Sequence, residues 1–292
     1  MIKSIITDQV SQDLKEACDI IAKQGYTHVE LHNVFNKSIE ECTLEETYEI
    51  KAILDTYNLK VSNIATTVFF LCPLYPHYEV SLFNPHFHSI KGDVNTHLNY
   101  LENACKIANI LDCKNIRVFP FRYPDNPNTT ICGHDEDMQA MVKPLTLAAT
   151  IASKYNVTLA LENCPYSHCP KGEMTYTLMK KVNHPSLKLL WDPGNSYRAE
   201  KHQVPSKYLN LTLEEECALL QNDIAHIHLK NYHYDAAIQP KPFIHKALMD
   251  GDIDFNSLLN KTPINTPHSL EPEVTYEETL ISMDSILEFK RI

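Results

Sequence analysis

The sequence predicts an α/β protein, a single (β/α)8 or TIM barrel that occupies residues 1–292. Eight short apolar runs of strand length recur along the chain, and amphipathic helical stretches separate them. Such alternation produces parallel strands joined by right-handed crossovers. A length of 292 residues suits a barrel, for which about 250 residues is typical. A doubly wound open sheet is the structural alternative, and no linker or low-complexity tract divides the chain.

The elements follow from local patterns. Thr43, Thr212 and Thr275 are each followed three residues later by Glu, which is the capping-box pattern that opens a helix. The first helix is expected to start at a cap on Ser11 and to stop at Gly25. The predicted strands are 3–7, 28–32, 60–65, 115–121, 157–163, 187–192, 224–230 and 268–274.

Two predicted connections are long, and both follow a strand. Residues 66–94 come after the third strand and residues 122–137 after the fourth. Long loops in a compact domain usually carry binding functions. In a barrel they lie on the carboxyl-terminal face, where barrel active sites are built. We therefore expect both loops to border a site.

Composition excludes several classes of function. The 26 basic and 37 acidic side chains give 26 − 37 = −11 charges, which argues against a nucleic-acid partner. The six glycines are too far apart for a dinucleotide fingerprint, a P-loop or a nucleophile elbow. Nine cysteines without a C-x-x-C pair indicate reduced thiols in a cytoplasmic protein. The amino terminus does not resemble a signal peptide, and no apolar stretch is long enough for a membrane.

Potential metal ligands end four consecutive predicted strands. They are Glu162, Asp192, His228 and Glu271, spaced by one strand–helix unit each. In a parallel barrel these strand ends converge, and three carboxylates beside one imidazole would repel one another without a cation. An oxygen-rich set with one nitrogen suits Mn²⁺, Mg²⁺ or Co²⁺, and Zn²⁺ is also compatible. The sequence thus predicts one divalent metal ion.

The segments LALEN, WDPGN, HIHLKN, MDGDIDF and SLEPEV, in that order, resemble the xylose isomerase-like superfamily, also described as sugar phosphate isomerases/epimerases or AP endonuclease family 2. The superfamily includes ketose 3-epimerases, inosose dehydratases, hydroxypyruvate isomerases and endonuclease IV, and the resemblance covers nearly the whole chain. It implies Glu162, Asp192, His228 and Glu271 as the metal ligands. His226 and Glu273 are the alternatives at the last two positions.

Three residues depart from the family pattern. Asn195 stands where ketose epimerases and endonuclease IV often carry His, which removes one ligand of a three-metal cluster. Asn231 replaces the usual Asp after H-L-K. Trp191 precedes Asp192, where a small or apolar residue is commoner in the family. Glu30 could support the site from inside the barrel. The candidate substrate-binding residues are His32, Arg122, His168, Asn195, Lys230 and His245.

The resemblance implies a sugar or sugar-derived small molecule as substrate. With the metal as a Lewis acid, Glu162 and Glu271 are expected to act as the acid/base pair next to a carbonyl, through an enediolate. Two carboxylates on opposite faces give epimerisation, one gives isomerisation, and loss of a hydroxyl gives an inosose-type dehydration. The alternatives of another class are an endonuclease IV-like DNA-repair nuclease and a sugar-binding barrel without turnover. The sequence leaves the substrate, its phosphorylation, the metal and a homo-oligomer open.

Overall fold

The computed structural model describes residues 1–82, 87–127, 129–199 and 201–291. The main sheet has eight strands, which are β1 (Ile2–Ile5), β2 (His28–Leu31), β3 (Lys60–Ile64), β4 (Asn115–Val118), β5 (Thr158–Glu162), β6 (Leu187–Trp191), β7 (Ile224–Leu229) and β8 (Pro267–Leu270). They pair in parallel in the order β1-β8-β7-β6-β5-β4-β3-β2. A parallel bridge between Ile6 and Glu30 joins the ends of β1 and β2 and brings the sheet back on itself. This confirms the predicted TIM barrel.

Helices follow every strand and cover the outside of the barrel. Among the described residues, two α-helices follow β6, and one α-helix follows each of the other strands. None of the described helices is long and apolar enough to cross a membrane. The helices are α1 (Leu14–Lys23), α2 (Leu44–Thr56), α3 (Val94–Ile110), α4 (Asp135–Lys154), α5 (Gly172–Val182), α6 (Pro193–Arg198), α7 (Leu213–Leu220), α8 (Phe255–Lys261) and α9 (Tyr276–Glu288).

The helix starts agree with the capping patterns, with one correction. Thr43, Thr212 and Thr275 each form a complete capping box with the Glu three residues later. The cap of α1 is Asp13 and not Ser11. The Asp13 carboxylate accepts the N–H of Glu16 at 2.9 Å, and a carboxylate at this position also favours the positive end of the helix dipole.

The inside of the barrel is unusually polar. Near the amino-terminal end of the strands, the hydroxyls of Ser4 and Ser269 are 2.7 Å apart, and Ser62 donates to Ser4 at 2.9 Å. Further along the strands, Glu30 and His226 form the next buried layer, with oxygen and nitrogen 2.8 Å apart. Alternation along each strand leaves the apolar side chains facing the helices, so the polar layers lead upward to the carboxyl-terminal face.

That face carries the irregular segments. Among the described residues, neither 65–93 nor 119–134 contains a helix, as the sequence predicts for the loops after β3 and β4. An antiparallel hairpin after β7, formed by Asn231–Tyr234 and Phe243–Lys246, was not predicted. The three segments surround the ends of β5 to β8.

Candidate metal centre and its cavity

Four side chains of the predicted set meet at the carboxyl-terminal end of the barrel. Glu162 is the last residue of β5, Asp192 follows β6, His228 lies in β7 and Glu271 follows β8. One ligand atom from each lies within 4.8 Å of the others. The convergence results from parallel, staggered strands, which carry consecutive strand ends to one side of the barrel axis. We call these four residues the quartet.

Several buried quartet atoms contact charged groups without forming a well-directed hydrogen bond. Within the described chain these atoms are Oδ2 of Asp192, Nδ1 of His228 and Oε2 of Glu271; Lys230 is the nearest cation to both carboxylates. Buried polar atoms in such contacts are costly unless a further group compensates them. Three carboxylates and one imidazole nitrogen are a donor set that divalent cations accept. The residues present therefore fit a bound divalent metal ion.

Glu30 sets the orientation of the imidazole in the quartet. Its Oε1 is 2.9 Å from Nε2 of His228 and its Oε2 is 2.8 Å from Nε2 of His226, while Asn63 donates to Oε1 at 2.7 Å. A carboxylate that accepts the Nε2–H leaves the lone pair on Nδ1. Nδ1 of His228 is 3.2 Å from Glu271 and 3.4 Å from Glu162. His226 lies one layer deeper, outside the quartet.

Burial and neighbouring charges shift the pKa values of these groups. Burial raises the pKa of Asp192 to about 7, although Lys230 opposes the shift. Burial also acts on Glu271, but Lys230, His228 and a buried arginine hold its pKa well below the usual range. Burial would lower the pKa of His228, whereas Glu30 and the quartet carboxylates hold it well above its ordinary value. Without a metal, protons are therefore retained in the quartet.

Two cations flank the quartet. Nζ of Lys230 is 2.5 Å from Glu271, 3.1 Å from Asp192 and 3.6 Å from Glu273. Nη1 of Arg117 donates to Glu162 at 3.2 Å and lies 3.7 Å from Glu271. The other nitrogens of Arg117 donate to the backbone oxygens of residues 65 and 66. Lys230 was among the predicted residues, whereas Arg117 was missed; a charged residue within an apolar strand was the signal for it.

Two more predicted substrate-binding residues lie at this site. Asn195 is near the quartet and donates from Nδ2 to Glu162 at 3.3 Å and to the backbone oxygen of Asn163 at 2.9 Å. His245, in the hairpin, has Nδ1 3.5 Å from Glu273. Both side chains line the cavity described below.

The other three predicted residues do not line that cavity. His32 is buried, with Nδ1 3.2 Å from Asp8. His168 is fully buried, with Nδ1 3.3 Å from Asp137 at the start of α4. Arg122 lies over the ring of Tyr166 at 5.4 Å, with Nη2 3.7 Å from Asp125. Each therefore interacts in the layer behind the cavity wall or in the outer loops.

A cavity of about 410 Å³ opens above the quartet, within the range of roughly 300–1,000 Å³ that small-molecule sites occupy. Glu162, Glu271 and Lys230 contribute to its floor. The rest of the lining combines a group of aromatic side chains with polar and cationic residues. The phenylalanines Phe70, Phe87 and Phe119 lie near Tyr166, and the lining also includes Arg198, Gln203, Lys241, Phe243 and His245.

Several solved structures have a fold similar to that of this chain. No curated protein matches the chain. Among solved structures, the probable 3-DHS dehydratase AsbF of Bacillus anthracis has a TM-score of 0.70 and 16% identity over 99% of this chain and 100% of its own. D-psicose 3-epimerase with D-tagatose, from Clostridium cellulolyticum H10, has a TM-score of 0.71 and 14% identity over 100% of both chains.

A xylose isomerase-like TIM barrel protein from Mycobacterium smegmatis, in complex with magnesium, has a TM-score of 0.67 and 14% identity over 94% of this chain and 87% of its own. At such identities these structures establish a shared fold. The family model described as "Xylose isomerase-like TIM barrel" matches residues 18–285, so that the chain belongs to this family.

Proposed function

We propose that the protein is a metal-dependent isomerase or epimerase that acts on a ketose-like sugar by proton abstraction next to the carbonyl. The observation that carries the proposal is the quartet, whose four ligand atoms converge beneath a small-molecule cavity. Relatives of the same fold named as a sugar epimerase and as a magnesium complex support it. Glu162, Asp192, His228 and Glu271 would hold one ion of Mn, Co, Mg or Zn.

A divalent cation held there would act as a Lewis acid towards the substrate carbonyl, which makes the neighbouring C–H more acidic. The protein's own groups move the proton. Glu162 ends β5 and Glu271 follows β8, so the two carboxylates reach the site from different strands. Arg117 contacts both carboxylates, and Lys230 contacts Glu271. Burial acts on Glu271, but Lys230, His228 and Arg117 lower its pKa, which favours the ionised, basic form of this carboxylate. Removal by one and return by the other would invert the carbon.

A dehydratase is the second candidate function. The probable 3-DHS dehydratase has a similar fold, and the same abstraction followed by loss of a β-hydroxyl would give an alkene. A DNA-repair nuclease is disfavoured by the net charge of −11 and by Asn195, an amide where a third metal would need an imidazole. A barrel that binds sugar without turnover is an outcome that the experiment below distinguishes.

The test is solvent deuterium incorporation into a panel of ketoses and inososes, after metal analysis of the purified protein. We expect about one divalent ion per chain and exchange at the carbon next to the ketone. Glu162→Gln and Glu271→Gln should each lower exchange by a factor of about 10² to 10⁴. Glu273→Gln is the matched control, because this carboxylate also lines the cavity but lies outside the quartet.

Normal exchange in both quartet variants would refute the acid/base assignment. Metal binding without exchange on any sugar would indicate the binding barrel, and three ions per chain would indicate the nuclease. Loss of a hydroxyl from an inosose would identify the dehydratase.

A further inference from the structure

Arg198 is a cation of the cavity that the proposed chemistry does not use. It is the last residue of α6, the short helix that starts directly after Asp192. At 1.5 Å per residue, its Cα lies about 9 Å along the helix from that of Asp192. Its side chain is partly buried and lines the cavity. Arg198 is therefore placed at some distance from the quartet but within the same space.

The partners of this guanidinium are neutral. Nη1 donates to the hydroxyl of Tyr232 at 3.4 Å, and Nη2 donates to the hydroxyl of Tyr166. The guanidinium carbon lies over both rings, 5.6 Å and 4.9 Å from their centroids. Burial raises the pKa of Tyr232, so this phenol stays protonated. Two uncharged phenols orient the guanidinium without neutralising it.

The other cations of the cavity floor are different. Lys230 and Arg117 each lie within 4.0 Å of at least two carboxylates. Arg198 forms no ion pair with a carboxylate within that distance in the described part of the chain. Burial would lower the pKa of its guanidinium, whereas Tyr232 and Tyr166 raise it. A guanidinium has five N–H donors, and the tyrosines use two of them. Donors and a positive charge therefore remain for a ligand.

Desolvating an unpaired positive charge is unfavourable, and a cavity cation held in place by aromatic neighbours is a common way to recognise carboxylate or phosphate. Lys241 of the loop between the hairpin strands adds a second, exposed cation to the cavity wall. The cavity thus has a carboxylate-rich floor at the quartet and, at the end of α6, a guanidinium that no carboxylate of the described residues neutralises.

We propose that Arg198 forms an anion subsite, and that the substrate is a sugar derivative carrying a carboxylate or a phosphoryl group away from its reacting carbonyl. The placement of the carbonyl rests on the proposed function, whereas the anion contact does not. We therefore expect the site to bind an anionic sugar more tightly than the neutral ketose of the same carbon skeleton.

The test is equilibrium binding of three matched probes by calorimetry: D-fructose, D-fructuronate and D-fructose 6-phosphate. They share the ketone and the adjacent hydroxyls and differ at the sixth carbon. At constant ionic strength, the wild type should bind at least one anionic probe tenfold or more tightly than D-fructose, as expected for one charge-assisted contact. The preferred anion identifies the carboxylate or the phosphoryl group as the source.

Arg198→Gln removes the charge but retains donors for the tyrosines, and it should reduce the ratio of affinities to about one. Arg198→Lys should restore part of that ratio. Lys154→Gln is the matched control, because Lys154 is an exposed cation at the end of α4. The same variants are also tested for thermal stabilisation by inorganic phosphate and by acetate, which require no sugar recognition.

A wild type that shows no preference for either anionic sugar, and no stabilisation by phosphate or acetate beyond that of Arg198→Gln, overturns the subsite. An unchanged ratio in a folded Arg198→Gln protein overturns it too. Deuterium exchange is scored separately: an anion preference without exchange retains the subsite and rejects the proposed chemistry. Deuterium exchange together with equal affinity for all three probes retains the proposed chemistry and rejects the anion subsite.

Discussion

Replacing Glu30 by Gln should weaken metal binding although Glu30 is not one of the quartet. The substitution keeps the shape of a fully buried side chain and removes its charge. Glu30 accepts hydrogen bonds from His226, His228 and Asn63. In the variant, an amide N–H would face a ring nitrogen of one histidine, and the imidazole of His228 would lose the anion that increases its basicity as a ligand.

The expected size follows from these contacts. Loss of an outer carboxylate that orients a histidine ligand lowers metal affinity by about 10- to 100-fold, or about 1.4–2.7 kcal/mol. The variant also leaves one buried donor or acceptor without a partner, which costs about 1–3 kcal/mol of stability. We therefore expect a folded protein of reduced stability whose dissociation constant for Mn²⁺ is one to two orders of magnitude larger.

The assay is Mn²⁺ titration of EDTA-treated protein by calorimetry, with circular dichroism to verify folding. Glu216→Gln is the matched control. Glu216 is also fully buried, and its carboxylate accepts the indole N–H of Trp191 at 2.8 Å and the N–H of Glu173 at 3.1 Å. It lies on α7, on the outer side of the barrel.

We expect the control to lose stability and to keep its Mn²⁺ affinity. Wild-type affinity in a folded Glu30→Gln protein would refute the reasoning. An equal loss of affinity in Glu216→Gln would attribute the effect to general destabilisation, and a wild type that binds no divalent ion would reject the metal site itself.

Three further predictions concern pH and backbone conformation. Burial raises the pKa of Asp192 to about 7, and Glu30 with the neighbouring carboxylates raises the pKa of His228 against the effect of burial. Mn²⁺ must therefore displace a proton from His228 and, below about pH 7, a second proton from Asp192, so titrations should show the affinity falling more steeply below that pH, by about a further tenfold per pH unit. Burial lowers the pKa of His268 to about 3, whereas the unfolded imidazole titrates near 6.5. The contribution of neutral His268 to the free energy of unfolding is complete above pH 6.5. It is lost as the pH falls towards 3, by roughly 1.4 kcal/mol per pH unit. Urea unfolding between pH 6.5 and 4.5 should therefore depend less steeply on pH in His268→Gln, and an unchanged slope would contradict this. Gly133 has φ +63°, and a Cβ there would lie 2.5 Å from the backbone oxygen of His168; Gly133→Ala should lower the unfolding free energy by more than about 1 kcal/mol, and equal stability would contradict this.

The barrel and the quartet are the parts that the sequence predicts well. Strand length, helical period and the boxes at Thr43, Thr212 and Thr275 depend on neighbours in the chain, so they can be read locally. Once the strands are parallel, the topology brings residues at consecutive strand ends together. This is why Glu162 and Glu271 could be placed together although 108 residues lie between them in the sequence.

The cations of the site could not be predicted in the same way. The predicted strand 115–121 would carry Arg122 into the barrel mouth, but β4 ends at Val118 and Phe121 has φ +57°. The chain therefore turns before Arg122. Arg117, an inward position of the strand, contacts the quartet instead. Such outcomes depend on the conformation of one loop residue, which composition and periodicity do not encode.

The same limit applies to Arg198. Its position on α6 is a local property, but its exposure to the cavity depends on Tyr166 and on Tyr232 of the hairpin. These tyrosines come from loops after β5 and β7, which meet only in the folded barrel. The cations among the predicted substrate-binding residues were Arg122 and Lys230, and both interact with carboxylates in the structure.

The charges around the quartet explain why a dication, more than any other group, would complete the site. Four carboxylates contribute −4 when ionised, namely the buried Glu30, Glu162 and Asp192 and the partly buried Glu271, whereas Arg117 and Lys230 contribute +2. With neutral histidines the cluster retains −2, and low-dielectric surroundings make that charge costly. Two protons could neutralise it, consistent with the raised pKa values of Asp192 and His228. A divalent ion neutralises it as well and leaves Glu162 and Glu271 unprotonated, which is the state that a base requires.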